Sequence, residues 1–247
     1  MIQLTKSLPA PISPNDPKCK ATIEKIENNF KDPSKGISPN HVDSSYFESS
    51  VYGPKVVRKR LREDQHERCA YCEISLLERD MHVDHFRPKT RYYKLAFVWE
   101  NFIGTCSNCN RKKNDMFPLV NDSDRGDLAK EEPLLVNPYT ENPADYFEFY
   151  QERIKVKDGL SDAKRKKAEK TIECLDLNRA GLCSLRKEWY SRWQAAQELL
   201  NNPEFSVQGD EIPKKFKYLY EYLVSPFNND NHPFHLMIQC AQKQQTQ

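Results

Sequence analysis

Apolar residues recur at three- and four-residue intervals in several stretches of the chain, the spacing that places them on one face of an α-helix. The helices predicted in this way cover residues 20–31, 55–67, 163–175, 182–200, 212–223 and 234–241. Proline, serine, asparagine and aspartate are frequent in residues 32–50 and 118–143, which are therefore predicted to be irregular. The pattern indicates a mainly helical chain.

One predicted helix carries an aromatic cluster formed by Trp189, Tyr190 and Trp193. Such a cluster fits a docking surface for a partner protein, and it fits an ordinary core stripe equally well. We divide the chain into an N-terminal extension with a short helix, a central functional core, and a mostly helical C-terminal region expected to dock a partner. These regions are residues 1–53, 54–120 and 121–247.

The composition narrows the possible functions. Seven Gly against 16 Pro argues against a glycine-rich nucleotide-binding fold, and no P-loop is present. A net charge of +2 means that any nucleic-acid partner must bind through local basic patches. The first 18 residues lack the apolar run of a signal peptide, and no stretch approaches the roughly 18 apolar residues of a membrane span. We therefore expect a cytoplasmic protein without membrane contact.

Four of the eight cysteines form two pairs with the same spacing, Cys69 with Cys72 and Cys106 with Cys109. In a reducing compartment, paired cysteines favour a metal over a disulfide. Two CxxC knuckles supply the four thiolates of a closed tetrahedral Zn²⁺ site, which is structural because no coordination position stays open. The other four cysteines are expected to be buried apolar residues: Cys19, Cys174, Cys183 and Cys240.

The segment between the two pairs contains residue types suited to hydrolysis of a phosphodiester. A neutral histidine such as His85 can take a proton from water near neutral pH. Hard cations such as Mg²⁺ or Mn²⁺ prefer oxygen ligands, which Asp84 and Asn110 can supply. Adjacent residues on a strand point to opposite sides, so Asp84 and His85 can play different roles.

Two assignments near this site stay open. His82 precedes Asp84 by two positions and would share its strand face, so it could assist the metal or the phosphate, although a structural or surface role is favoured. Asn114 is the alternative to Asn110 as the third residue of the site. No role is assigned to the remaining histidines, which are His41, His66, His232 and His235.

Three basic clusters bracket the segment, at residues 58–62, 87–94 and 111–113, as a track for phosphates requires. The predicted nucleic-acid contacts are Arg87, Lys89, Arg111, Lys112 and Lys113. A fourth cluster at residues 164–167 is better explained as a solvated helix face.

The order of these residues resembles the HNH nucleases of the ββα-metal class. In that family an acid–histidine doublet ends the first strand, an asparagine lies in the connecting loop, and an asparagine or histidine in the helix binds the catalytic metal. Asp84 and His85, Asn101, and Asn110 match those positions. The resemblance implies that Asn101 holds the loop that orients His85, through hydrogen bonds to the backbone. The resemblance implies an α+β fold, in which a small ββα-metal core with a zinc ribbon-like clip is embedded in a mainly helical chain.

A wider resemblance covers about residues 50–200. The segments CAYCE, DHFRPK, LLVNPYTENP and TIECLDLNRAGL are similar to those of PtuB-type HNH endonucleases of Septu and retron systems. The resemblance implies an effector nuclease of anti-phage defence that works with a PtuA-type ABC/SMC-like ATPase. In retron versions, a reverse transcriptase and its RNA–DNA hybrid join the system.

Two alternatives remain at this point. The site chemistry works on structured RNA as well as on DNA, and only the habit of the family favours DNA. A zinc-stabilised nucleic-acid-binding module without catalysis is the other, and it predicts that Asp84, His85 or Asn110 is replaced. All three are present, so the enzyme is preferred.

Overall fold

The computed structural model describes residues 1–52, 55–202, 217–227 and 232–245. Its helices are α1 Pro17–Asn29, α2 Ser49–Tyr52, α3 Lys55–Asp64, α4 Ser107–Lys113, α5 Asp162–Leu175, α6 Ala180–Leu200, α7 Lys217–Leu219 and α8 His235–Gln245. A π-helical turn, Tyr220–Val224, and a 3₁₀ turn, Ser225–Phe227, follow α7. The helices predicted at 20–31, 55–67, 163–175, 182–200 and 234–241 are confirmed, with shifted ends. Of the helix predicted at 212–223, residues 212–216 lie outside the described residues.

Helix α1 begins before the first residue of its apolar pattern because local capping fixes its start. The Asp16 side chain accepts a hydrogen bond from the Lys18 backbone N–H at 3.2 Å, and Pro17 occupies the first turn, where its missing N–H is not needed. The helix buries Cys19 and Ile26.

Two short strands form the hairpin that carries the candidate doublet. Strand β1, His82–His85, pairs antiparallel with β2, Phe102–Thr105, so that His85 lies opposite Phe102. Every residue of β2 is buried. Helix α4 begins directly after Cys106 and contacts β1, which completes a ββα unit.

Gln65 attaches this hairpin to the end of α3. Its Nε2 donates to the Gly104 carbonyl at 2.8 Å, and the Gly104 N–H donates back to Gln65 Oε1 at 2.8 Å. The Tyr139 hydroxyl donates to the same oxygen at 2.8 Å. These bonds satisfy backbone groups that a short buried strand would otherwise leave without partners.

A second hairpin was not predicted. Strand β3, Phe147–Tyr150, pairs antiparallel with β4, Arg153–Val156, across a two-residue turn in which Gln151 has a φ of 52°. Phe147 and Phe149 alternate with polar residues and face the core. The alternation is a strand signal, but the turn lacks the Asn-Gly or Gly residues that mark a hairpin in a sequence.

The aromatic cluster on α6 belongs largely to the core. Trp193 is 1% exposed. Trp189 is half-buried and packs edge-on against Phe227 at 5.7 Å between ring centroids. Of the two interpretations left open, the core stripe is therefore the right one for Trp193. No helix in the described residues is long and apolar enough to span a membrane.

The principal buried cluster runs from Met1 to Ala241 and draws on all three regions of the predicted division. A smaller cluster joins α1 to the turn at residues 93–97 and contains Val42, Tyr93 and Phe97. The boundaries at residues 53 and 120 therefore do not separate independent cores.

Lys6 ties the N-terminal segment to the hairpin. Its Nζ donates to the Phe102 carbonyl at 2.6 Å and lies 3.8 Å from the Trp99 ring centroid and 4.2 Å from that of Tyr139. Burial lowers the pKa of Lys6 to about 7, although the nearby charges of acidic residues oppose this shift. The contact fixes the start of β2 from the side of the N-terminal segment.

Gly104 tests how closely Gln65 and the hairpin are packed. A Cβ at Gly104 would lie 2.7 Å from Met81 Sδ and 2.8 Å from Gln65 Oε1. We expect Gly104→Ala to lower the free energy of unfolding by about 1–3 kcal/mol, measured by urea denaturation. The control is Gly181→Ala in α6, where no atom lies within 4 Å of the new methyl group and stability should not fall. Equal behaviour of the two variants would contradict the packing described here.

Candidate functional site

The four paired cysteines converge on one point. Their Sγ atoms all lie within 4.8 Å of one another, and all four residues are buried. The Cys72 and Cys106 sulfurs are 3.7 Å apart. A tetrahedron with metal–sulfur bonds of about 2.3 Å has sulfurs separated by about 3.8 Å. The cluster is therefore suited to a single tetrahedral metal ion.

Local backbone bonds explain why the two knuckles meet. The Ala70 N–H donates to the Gly104 carbonyl at 3.1 Å, which fastens the first knuckle to β2. In the second knuckle, Cys106 caps α4, and its sulfur accepts from the Cys109 N–H at 3.5 Å. Arg179 Nη2 lies 3.7 Å from Cys109 Sγ, and the negative charge of the thiolates raises the pKa of Arg179 although burial opposes this. The fold thus supplies positive charge beside the four sulfurs.

Asp84 is buried with one oxygen bonded and one available. Its Oδ1 accepts from the His85 N–H at 2.8 Å. Its Oδ2 lies 3.5 Å from Lys113 Nζ and has no hydrogen-bond partner among the residues that the structure describes. Burial raises the pKa of Asp84, and the charge of Lys113 opposes that rise. A buried carboxylate oxygen in this state is suited to a cation.

His85 is buried beside Asp84, and its tautomer is set by the backbone. Its Nε2 lies 2.9 Å from the Ala96 carbonyl oxygen, which can only accept, so Nε2 carries the proton and Nδ1 carries the lone pair. Its ring packs edge-on against Phe102 at 5.1 Å between centroids. Burial, followed by the charge of Lys89, lowers the pKa of His85 to about 3, which keeps the imidazole neutral at physiological pH.

Asn101 braces the turn that holds His85. Its Oδ1 accepts from the Arg87 N–H at 2.8 Å, and its Nδ2 donates to the Arg87 and Leu95 carbonyls at 3.0 and 3.2 Å. Leu95 immediately precedes Ala96, whose carbonyl binds His85. Asn101 thus fixes both ends of the connection between the doublet and the Ala96 carbonyl.

One cavity of about 690 Å³ gathers the remaining candidate groups. Asp84, His85 and Asn110 line it, and so do His82 and Asn114, whose roles stay open. The cations on its wall are Arg58, Lys89 and Arg111. Asn101 is buried and is not among the lining residues, so it acts from behind the cavity wall.

Residues 69–116, which span both knuckles, the doublet, Asn101 and Asn110, match the family model described as HNH endonuclease. Residues 69–116 are an HNH endonuclease domain, and the protein is a nuclease. The ββα unit described above is the α+β core of that domain.

Similarity to known proteins extends beyond the HNH domain. The chain is 28% identical over 243 residues to Septu protein PtuB of Bacillus mycoides, covering 85% of this chain and 81% of that protein. A stretch of 144 residues is 28% identical to part of Septu protein PtuA of the same organism, covering 51% of this chain and 20% of PtuA. A protein described as an HNH endonuclease of retron Vc95 of Vibrio cholerae is 28% identical over 142 residues, covering 56% of this chain and 65% of that protein.

The structure changes the set of predicted nucleic-acid contacts. Lys113 is wrong as a surface contact of the HNH domain, because it is fully buried and donates to the His85 carbonyl at 2.7 Å. Arg87 pairs with the buried carboxylate of Glu131 at 2.9 Å, which holds it in the structure. Lys112 is exposed but pairs with Asp176 at 2.8 Å. Lys89 and Arg111 line the cavity.

The basic cluster at residues 58–62 also divides by role. Arg58 reaches the wall of the cavity. Arg62 instead pairs with Glu67 at 2.6 Å and donates to the Leu76 and Arg79 carbonyls. Only one end of the basic helix α3 therefore faces the HNH site.

Sequence reasoning missed that Lys113 supports the doublet. The ammonium group touches the carbonyl of one doublet residue and faces the carboxylate of the other, so α4 and β1 are joined through charge as well as packing. The available signal was the helical spacing: Lys113 is three residues beyond Asn110 and therefore lies on the same face of α4. Composition alone does not distinguish a buried lysine from two exposed neighbours.

Lys113 and its neighbour Lys112 form a matched pair for testing this contact. Lys113→Met removes the buried partner of Asp84, and we expect it to lower the free energy of unfolding by about 3–5 kcal/mol. Lys112→Met breaks a partly exposed pair with Asp176 and should cost less than about 1 kcal/mol. Denaturant unfolding of both variants measures the difference. Similar small losses would show that the buried ammonium does not support the doublet.

Proposed function

We propose that this nuclease hydrolyses phosphodiester bonds of DNA, with His85 as the general base. The observation that carries the proposal is the bond between His85 Nε2 and the Ala96 carbonyl, which leaves the lone pair on Nδ1. A neutral imidazole in this tautomer can accept a proton from the attacking water. Asn101 is a positioning residue, since it holds the turn and does not line the cavity.

The donor set of the cavity fits a hard divalent cation. Asp84 Oδ2 is buried without a hydrogen-bond partner in the described part of the chain, and the amide of Asn110 lines the same cavity. Mg²⁺ and Mn²⁺ prefer oxygen ligands of this kind. Asp84 and Asn110 would hold the cation, which would stabilise the negative charge that develops on the scissile phosphate. Asn114 lines the same cavity and is the alternative to Asn110.

The four-cysteine cluster fits Zn²⁺ in a structural role. Thiolates are the ligands that Zn²⁺ takes in closed sites, and the sulfur separations match a tetrahedron. The cluster uses all four sulfurs and none of the cavity residues. The metal would therefore fix the two ends of the HNH segment and leave the chemistry to the cavity.

The cations on the cavity wall favour a polyanionic substrate. The chemistry of the cavity does not distinguish a DNA backbone from that of structured RNA, so the preference for DNA rests on the family resemblance. A non-catalytic binding module would not need a buried base next to an available carboxylate oxygen.

The similarity to Septu PtuB supports a role as the effector nuclease of an anti-phage system in the cytoplasm. A PtuA-type ABC/SMC-like ATPase is the partner that the resemblance implies. A fifth of PtuA is itself similar to this chain, and PtuA carries the Septu name that PtuB also carries. These two similarities support the PtuA-type partner. A reverse transcriptase with its RNA–DNA hybrid would join in a retron version, which the Vc95 relative supports.

His85 is the first target for testing catalysis. We expect His85→Ala and His85→Gln to lower the cleavage rate by about two to four orders of magnitude, and added Mg²⁺ or Mn²⁺ should not restore it. Because His85 is buried against Phe102, the melting temperature and metal content of each variant must be measured alongside the rate. His41→Ala is the control, since His41 is exposed and outside the cavity. Wild-type rates in both His85 variants would sink the mechanism.

Asp84→Ala and Asn110→Ala should lose cleavage activity for a different reason from the His85 variants. Both remove oxygen ligands, so we expect lost activity that excess Mn²⁺ partly restores. Asn101→Ala should give a smaller loss because it moves His85 rather than removing it. The measurement is a cleavage titration against divalent metal on matched DNA and RNA substrates. Cleavage by the wild type in the absence of free divalent metal would contradict the assignment, and cleavage of RNA alone would replace DNA as the substrate.

Zinc has its own test. The purified protein should contain one Zn²⁺ per chain, and Cys72→Ser or Cys106→Ser should lower both the zinc content and the melting temperature. The control is Cys183→Ser, because Cys183 is half-buried and outside the cluster. Metal analysis that finds no zinc in folded, active protein would overturn this prediction.

The partner hypothesis predicts low activity of the isolated chain. Co-expression with a PtuA-type ATPase should yield a complex and raise the cleavage rate, because a constantly active nuclease is toxic to its host. Size-exclusion chromatography and a cleavage assay test both points. Full activity without the ATPase, together with no complex, would refute the partnership.

A further inference from the structure

A second cavity of about 620 Å³ lies outside the set of residues assigned to the HNH site. Residues 91–95 form one wall, and Pro39 and Asn40 of the N-terminal loop form another. Asp122, Arg125, Gly126 and Leu128 close it from a third side. Its volume is in the range of cavities that bind small organic ligands, about 300–1,000 Å³.

This cavity and the catalytic cavity lie along one seam between the same two loops. Ser44 and Thr90 line the catalytic cavity, whereas Asn40 and Arg91 line the second. Between them the Val42 N–H donates to the Thr90 carbonyl at 2.7 Å and joins the loops. Because Thr90 and Arg91 are consecutive, the two cavities meet the same segment of chain beside this bridge.

The second cavity is positively charged. Arg91 is exposed and forms no ion pair with any residue that the structure describes, and Lys94 is 70% exposed with its nearest carboxylate, Glu27, at 3.9 Å. Arg125 is held by the Tyr92 hydroxyl and the Phe117 carbonyl and pairs with Asp122. Among the lining residues three cations face one carboxylate, while Glu27 and Glu131 contact the lining from outside it. Arg91 and Lys94 are thus placed to contact a phosphate.

The lining also offers apolar surface. Leu128 is 50% exposed, and the half-buried Leu95 lines the opposite wall. A phosphate-binding edge beside an apolar wall is a combination that suits a nucleotide, whose base has an apolar face. A base can enter a cavity of this kind only when it is unstacked from its neighbours.

We propose that the second cavity binds an unpaired nucleotide of the substrate strand that flanks the scissile phosphate. The strand would cross the Val42–Thr90 bridge, with its phosphate near Arg91 and Lys94 and its base against Leu95 and Leu128. The proposal rests on the proposed nuclease function, because the catalytic cavity defines which phosphate is cleaved. It adds a substrate class, which is a strand that is single-stranded next to the cleavage site.

The test compares two double variants that each remove one arginine and one lysine. Arg91→Ser/Lys94→Ser alters the second cavity, and Arg165→Ser/Lys166→Ser removes two exposed charges from α5. Each protein is titrated against a long fluorescent single-stranded DNA oligonucleotide, with Ca²⁺ in place of Mg²⁺, at several salt concentrations. We expect the cavity variant to bind about tenfold more weakly, with a salt slope smaller by about 1–2, and the α5 variant to change less than about twofold.

A second readout separates this proposal from the nuclease function. Bis(p-nitrophenyl) phosphate is a small diester without a flanking nucleotide, so its hydrolysis reports the catalytic cavity. The cavity variant should lose far more kcat/KM on the oligonucleotide than on this diester. The hydrolysis assays are run with and without the PtuA-type ATPase. If the wild type hydrolyses neither substrate in either condition, the nuclease function fails, while the binding titration still decides the cavity.

Three results would overturn the proposal. The first is an equal loss of affinity in both double variants, which would show a general effect of charge. The second is tighter binding of blunt duplex DNA than of the single strand by the wild type. The third combines two observations: an excess of a short single strand fails to displace the bound oligonucleotide, and the wild type binds ATP saturably whereas the cavity variant does not. That result would assign the cavity to a free nucleotide.

Discussion

The HNH unit depends on the convergence of four thiols. Its strands have four residues each, too few to form a stable hairpin by themselves. The knuckle at Cys69 and Cys72 is fastened to β2, and Cys106 begins α4. A metal bound by all four sulfurs would therefore close the hairpin onto the helix and place the doublet against α4. The positions of Asp84 and His85 in the cavity would therefore depend on that closure.

Charge inside the unit adds a second constraint. Asp84, His85 and Lys113 are buried together, and an uncompensated charge in such a place is costly. The ammonium of Lys113 balances the carboxylate of Asp84 and anchors the His85 carbonyl. One oxygen of Asp84 still has no hydrogen-bond partner among the described residues, so this oxygen is suited to bind a cation. The same three residues thus stabilise the unit and form part of the candidate site.

Local sequence patterns predicted the parts of the site that local rules control. The CxxC spacing and the Asp84–His85 doublet require only short stretches of chain to interpret, whereas the bracing role of Asn101 was implied by the family resemblance. The burial of Lys113 depends on where α4 lies against β1, and no pattern within residues 111–113 distinguishes it from its exposed neighbours. The β3–β4 hairpin was missed because its turn uses Gln151, a residue that rarely takes a positive φ. The helical spacing of Trp193 is compatible with a docking surface and with a core position, and only its packing in the fold distinguishes the two.

The groups that orient the chemistry are mostly main-chain atoms. The Ala96 carbonyl sets the tautomer of His85, and the Arg87 and Leu95 carbonyls hold the side chain of Asn101. A carbonyl is present whatever side chain its residue carries, so substitutions along this turn need only preserve the path of the backbone. Natural variation can therefore reshape the outer face of residues 87–96, and with it the choice of substrate, while the reacting geometry is inherited unchanged.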